Sequence, residues 1–295
     1  MSYLRYVDFA MSRIRLLLHN KITPYVVFDG CLLPAKKETE LRRRQSRQEN
    51  RSIAMKLVQQ GKHNEAFEYF AKAVDVTPEL AYQFIKVRFY SISMNIRIEG
   101  YQMLRVHGVP YVVAPYEADA QLAFLENNGM VDGIITEDSD LLVFGCKLVL
   151  FKLDSDGNCT CIRRNRFSSV RDLSLHGWSD RQFREMAVSR FPKPFPSVAD
   201  CEQILSGCDY LPSVPGLGLK TAHRLLRKHK TVEKVLDAIR AQSRFKIPPN
   251  YLKDFRAAEL AFTHQRVFDP TLKRLVCLTS DGAPLYQGCG LFIGE

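Results

Sequence analysis

The chain has 295 residues, 46% of them hydrophobic, enough to bury a substantial core as one large domain or two small ones. Its formal charge of +10 points to a polyanionic partner, because a basic surface binds phosphates with release of counterions. No apolar run is long enough to cross a bilayer and no signal-peptide pattern opens the chain, so a soluble, intracellular protein is expected, and eight cysteines without a C-x-x-C pair read as free thiols.

Residues 1–20 carry apolar positions at Phe9, Ile14, Leu16, Leu17 and Leu18, the pattern of an amphipathic helix. A strand follows at Tyr25-Val26-Val27-Phe28 and stops at Asp29. The most basic segment comes next, with Lys36, Arg42, Arg43, Arg44, Arg47 and Arg51. On a helix, Lys36 and Arg43 lie two turns apart on one face, where they could grip one phosphate. A solvated charged helix laced with Glu38 and Glu40 fits the composition as well, and position just after an acid-tipped strand favours function. Helical patterns at 64–74 and 78–86 continue this excursion from the sheet.

Residues 112–140 organise the rest. Two apolar runs each end in acids, Glu117 and Asp119 after the first, Asp138 and Asp140 after the second. Between them, residues 118–127 have a helical rhythm (Ala120, Leu122, Ala123, Leu125), closed by Asn128 and Gly129. In a parallel sheet this strand, helix, strand order puts both pairs of acids on the carboxyl edge, where α/β proteins bind ligands. Oxygen-only donors suit a hard cation such as Mg²⁺ or Mn²⁺. A lone D-x-D is more often a solvated turn, but Asp29 and Asp209 also follow apolar runs.

Further on, residues 147–152 and Cys161-Ile162 form a hairpin across 154–157. Cys159-Thr160-Cys161 alone is too little for a zinc site. Gly216 and Gly218 precede a helix bearing Lys220, Arg224, Arg227 and Lys228, an arrangement suited to a phosphodiester backbone. A bare G-x-G is also a common tight turn; the basic helix behind it favours the phosphate reading. The remainder, through Phe268-Asp269-Pro270 to the C-terminus, reads as ordinary helix and loop.

Taken together, Phe28-Asp29-Gly30, Tyr116-Glu117-Ala118-Asp119-Ala120-Gln121, Thr136-Glu137-Asp138-Ser139-Asp140, Ser206-Gly207-Cys208-Asp209-Tyr210-Leu211 and Gly216-Leu217-Gly218 closely resemble the structure-specific 5′ nucleases, a group that includes the flap endonucleases. The wording is nearest to the fungal exonuclease-one branch. The likeness implies an α/β fold with a mainly parallel central sheet flanked by helices, a helical arch over about 31–86 and a helix-two-turn-helix over about 206–230. It implies a nuclear, monomeric DNA phosphodiesterase that acts 5′ to 3′ on duplex DNA with a 5′ end, nick, gap or flap, in repair and recombination, with mismatch-repair proteins as candidate partners.

By the same resemblance, Asp29, Glu117 and Asp119 ligate one Mg²⁺ or Mn²⁺ ion, and Asp119, Asp138, Asp140 and Asp209 the other, the two metals being roughly 4 Å apart. Lys36 and Arg43 steer the scissile phosphate. Arg42, Arg47, Gly216, Gly218, Lys220 and Arg224 contact DNA, and Ser206 contributes to a K⁺ site in the helix-two-turn-helix.

The resemblance divides the chain into 1–107, 108–280 and a tail at 281–295, with insertions at 87–102 and 188–203. Deleting both insertions restores the family spacing, and their ends can be encoded by intron boundaries, so translated introns are expected; surface loops are the alternative. Family members also open with a glycine-rich segment and a strand bearing another metal-site aspartate, which residues 1–24 do not match. A catalytically impaired DNA-binding remnant is therefore the alternative to an active nuclease.

Overall fold

The computed structural model describes residues 3–75, 104, 107–169, 174–188, 210–211, 219–241 and 247–279. The helical pattern at 78–86, the insertion at 87–102, most of the insertion at 188–203, the tail, and Ser206, Asp209, Gly216 and Gly218 lie outside them. The chain forms two compact units, Met1–Gly30 with Lys36–Val112, and Cys31–Ala35 with Val113–Glu295.

In the first unit, α1 (Tyr3–His19) buries Met11 and Ile14 with Leu104 and Val109. Strand β1 (Val26–Phe28) pairs with β2 (Tyr111–Val113), and Val26 and Phe28 join that small core. A 3₁₀ turn at Pro34–Lys36 leads into α2 (Lys37–Gln59), followed by α3 (His63–Lys72). Lys36 is thus the residue before the long helix and not a member of it, which corrects the two-turn geometry expected for Lys36 and Arg43. The first half of α2 is strongly charged and draws on pairs such as Arg42 to Glu38 at 3.2 Å, each worth about 0.3–0.5 kcal/mol. It ends at Gly61, whose φ of +75° lets Gly61 N–H reach Val58 O and Lys62 N–H reach Leu57 O.

The second unit holds the larger core. Helix α4 (Ala118–Asn127) buries Ala120, Ala123, Phe124 and Leu125, and stops as expected at Asn128, with Gly129 at φ +69°. Strand β3 (Ile134–Thr136) leads through one helical turn, α5 (Asp140–Val143), to β4 (Leu148–Phe151). β3 and β4 run parallel, with Ile134 opposite Val149, and β5 (Thr160–Arg163) runs antiparallel to β4 as the predicted hairpin. Helices α6 (Asp180–Val188), α7 (Leu219–His229), α8 (Val232–Ala241) and α9 (Tyr251–Thr263) complete the core, with Phe255 and Phe262 fully buried.

Two expectations change. Among the described residues β3 and β4 are a parallel pair, and β2 and β3, whose ends carry the acids, belong to different sheets. The stretch around Phe268 is no loop but an antiparallel hairpin of β6 (Arg266–Asp269) and β7 (Arg274–Cys277), with Phe268 opposite Leu275. The Asp269 carboxylate shapes its turn by accepting N–H from Thr271 and Leu272.

Candidate metal and nucleic-acid site

Among the described residues, each predicted acid sits where a strand gives way to another element. Asp29, exposed, follows β1 in the first unit. In the second unit, Glu117 is the N-cap of α4 and Asp119 lies in its first turn, where the helix dipole favours negative charge. Asp138 and Asp140 flank Ser139 at the start of α5; Asp138 is exposed and Asp140 buried.

The β3–α5 turn is built by its own polar groups. Asp138 N–H donates to Thr136 Oγ1 at 3.0 Å, and Asp138 Oδ1 accepts Asp140 N–H at 2.9 Å. At the other end of α5, Arg164 gives Leu142 O a second donor at 3.1 Å, beside Gly145 N–H, and pairs with Asp180 at 2.5 Å, placing a cation at the negative end of the helix. Both ends of the one-turn helix carrying Asp140 are therefore fastened.

Glu117 is held from far along the chain. Tyr210 Oη donates to Glu117 Oε2 at 2.5 Å, Gln265 Nε2 donates to the same oxygen at 2.8 Å, and Gln265 Nε2 also reaches Tyr210 Oη at 3.1 Å. One helical turn on, Gln121 bonds both backbone groups of Phe268, donating to its carbonyl and accepting its N–H, each at 2.8 Å. Two glutamine amides thus clasp α4 to β6 in opposite directions. Gln121 and Tyr210 lie within the motifs read from sequence, but their roles were missed. Gln265 gave no local signal beyond being a polar residue between Phe262 and Val267, which are buried.

Beneath α4, Cys146 is fully buried. Burial, then the charges of Glu126 and Asp119, push its thiol far up, so it stays protonated and inert. Among the described residues, no three metal-capable side chains gather around one point. The predicted set is thus distributed between the two units, with Asp209 outside the description.

The basic residues fall into two groups. On α2, Arg42 and Arg43 are exposed, whereas Arg47 is half-buried and tied to Glu40 at 2.5 Å and Asp75 at 3.3 Å, which makes it a strut of the helical segment. On α7, Lys220, Arg224, Arg227 and Lys228 are all exposed, while Ala222 and Leu226 are buried. Their spacing lines four cations along one helix face.

The XPG N-terminal domain matches residues 2–50 and the XPG I-region residues 108–190. Exodeoxyribonuclease 1 of Schizosaccharomyces pombe is 40% identical over 291 residues, covering 99% of this chain and 45% of that protein. Exonuclease 1 of Arabidopsis thaliana is 40% identical over 274 residues, 93% of this chain and 33% of that protein. The chain therefore spans less than half the length of either relative. Among solved structures, the catalytic core of Rad2 in complex with DNA substrate (complex IV) superposes with a TM-score of 0.52 at 18% identity, over 87% of this chain and 68% of that one. GEN1, a Holliday junction-resolving enzyme solved with product DNA and Mg²⁺, gives 0.50 at 18% identity, over 90% and 52%. The solved structures share its fold, and the chain carries the N-terminal and I-regions of the XPG family and resembles exonuclease 1 proteins over nearly all of its length.

Proposed function

We propose that this protein is a Mg²⁺-dependent phosphodiesterase that degrades duplex DNA 5′ to 3′ and cleaves 5′ flaps, acting as a monomer in nuclear DNA repair and recombination. The observation that carries the reading is the 40% identity to an exodeoxyribonuclease across 99% of this chain, a match that spans every acid named above. The solved GEN1 neighbour binds product DNA and Mg²⁺, and the Rad2 neighbour binds a DNA substrate, in keeping with the same chemistry.

The residues fit a hard divalent cation by donor chemistry. All are carboxylates, and the phenol and the amide that donate to Glu117 add no positive charge of their own. Asp29, Glu117 and Asp119 are assigned to one ion, and Asp119, Asp138, Asp140 and Asp209 to the other. When bound, such a cation supplies Lewis-acid polarisation of the phosphate. The chain's own cations do the rest: Lys36 and Arg43 orient the scissile phosphate, with Arg42 beside them. Lys220 and Arg224, with Gly216 and Gly218 ahead of them, neutralise the duplex backbone, and Ser206 contributes to a K⁺ site there. Arg47 retains its assigned DNA contact only through whatever its two ion pairs release.

The test is cleavage of a 5′-recessed duplex by the full chain in Mg²⁺. Asp138→Ala and Asp140→Ala are expected to abolish cleavage while leaving duplex binding largely intact. Retained cleavage in either removes the metal-ligand assignment. Salt-sensitive duplex binding without cleavage or Mn²⁺ uptake would instead identify a DNA-binding remnant.

A further inference from the structure

Gln265 is completely buried and makes an unusual use of its amide. One Nε2 hydrogen goes to Glu117 Oε2 and the other to Tyr210 Oη, whose own hydrogen goes to the same carboxylate oxygen. Its carbonyl Oε1 has no donor among the described residues. A glutamine that served only to fill the core would be expected to satisfy both ends of its amide, because a buried unpaired acceptor is costly. Here the unpaired carbonyl is tolerated and both N–H groups serve one carboxylate and its phenolic partner.

Two features suggest a purpose beyond packing. A lysine or arginine at this place would compete with a cation for the carboxylate, whereas an amide and a phenol orient it without adding a positive charge. Two donors on a single oxygen also define the rotation of the carboxylate group. The second clasp, from Gln121 to the backbone of Phe268, lies four residues on from Glu117 and three on from Gln265, so the register between α4 and β6 is set independently.

We infer that Gln265 and Tyr210 are positioning residues that set the plane of the Glu117 carboxylate for a divalent cation, an inference that rests on the metal reading proposed above. Tyr210→Phe removes one hydroxyl and keeps the edge-on contact with the Phe262 ring at 4.9 Å. Gln265→Met keeps the shape and removes both N–H donors together with the unpaired carbonyl. The full chain and each variant are titrated with Mn²⁺ in the absence of DNA, following free Mn²⁺ by paramagnetic resonance, with folding stability read separately by thermal melting. In both variants Mn²⁺ affinity falls by about 10- to 100-fold, the range for partners that orient metal ligands. The Mg²⁺ needed for half-maximal cleavage rises in parallel, while kcat at saturating Mg²⁺ recovers. Because the two substitutions perturb the core differently, a shared metal defect at unequal melting temperatures separates positioning from packing. Unchanged Mn²⁺ affinity in both variants, with Glu117→Gln still weakening uptake, overturns the inference and leaves the metal reading standing. A wild-type chain that takes up no Mn²⁺ overturns both.

Discussion

The Glu126 carboxylate accepts the backbone N–H of Lys147 on both of its oxygens, at 2.9 and 2.8 Å. Its Oε1 also accepts Leu148 N–H at 2.8 Å. Glu126 stands in the last turn of α4, where the helix dipole opposes a negative charge, and is only 4% exposed. Such a placement is stable because the carboxylate replaces the partners that the first N–H groups of β4 would otherwise lack. Glu126→Ala should therefore destabilise the fold by on the order of 3 kcal/mol, with Glu126→Gln losing less, since the amide keeps one acceptor. Chemical denaturation of both variants checks the order, and an equal, sub-kilocalorie effect would reject it.

Arg164 performs the matching task for the turn that carries Asp140. It caps the Leu142 carbonyl, pairs with Asp180 and lies over the rings of Phe167 and Phe183 at 5.5 and 5.9 Å. Arg164→Met keeps much of the apolar contact and removes the cap. The expected result is a loss of about 1.5–3 kcal/mol, the range for a charged hydrogen bond, together with weaker Mn²⁺ uptake if Asp140 is a ligand. Thermal melting and metal titration on one sample test the two effects, and full retention of both would dissociate Arg164 from the turn.

Two helix ends give opposite expectations from one backbone rule. Gly129 closes α4 at φ +69°, and no atom lies within 4 Å of a Cβ built there. Gly129→Ala should therefore cost only the left-handed strain, about 1–2 kcal/mol. Lys230 closes α7 at φ +72°, and its N–H reaches Leu226 O at 2.7 Å. Lys230→Gly should stabilise by about 1 kcal/mol at a residue outside the proposed sites. Urea midpoints that moved in the same direction for both variants would contradict the rule.

These elements differ in how far they could be read from the chain itself. α4 and its glycine stop were legible because apolar spacing and C-cap chemistry are local, as was the β4–β5 hairpin with its Asp154-Ser155-Asp156-Gly157 turn. The β6–β7 hairpin was not, since one of its strands is stabilised by Gln121, 147 positions away. Asp269-Pro270, a turn-forming pair, was the local signal for it. The acids were visible as types at strand ends, but the donors to Glu117 come from Tyr210 and Gln265, 93 and 148 positions on, and β2 pairs with β1, which precedes α2 and α3 in the chain.

The charged cluster joining α6, α8 and α9 predicts a pH signature. Arg256 bridges Glu185, Glu233 and Glu259, while Arg181 reaches Glu185 at 3.1 Å. Glu185 is 1% exposed, and burial raises its pKa above the ordinary carboxylate value despite its arginine partners. Glu233 moves the other way: partial burial pushes it up, but the hydrogen bond and charge of Arg256 carry it below. For Glu185 the folded state binds its proton more tightly than the unfolded chain. Its contribution is thus fully present below the unfolded carboxylate pKa and is lost as pH rises through the raised folded value. Glu233 contributes above the unfolded value and loses that contribution as pH falls through its depressed one. The stability gap between wild type and Glu185→Gln should accordingly shrink as pH is raised from about 4 to 7, whereas the gap for Glu233→Gln should widen. Glu233 is the more exposed of the pair, at 42%, so its change should be the smaller and the more readily screened by salt. Denaturant unfolding of the three proteins across that range, at low and moderate salt, reads both signs. Parallel pH curves for wild type and Glu185→Gln would show that burial does not control this acid.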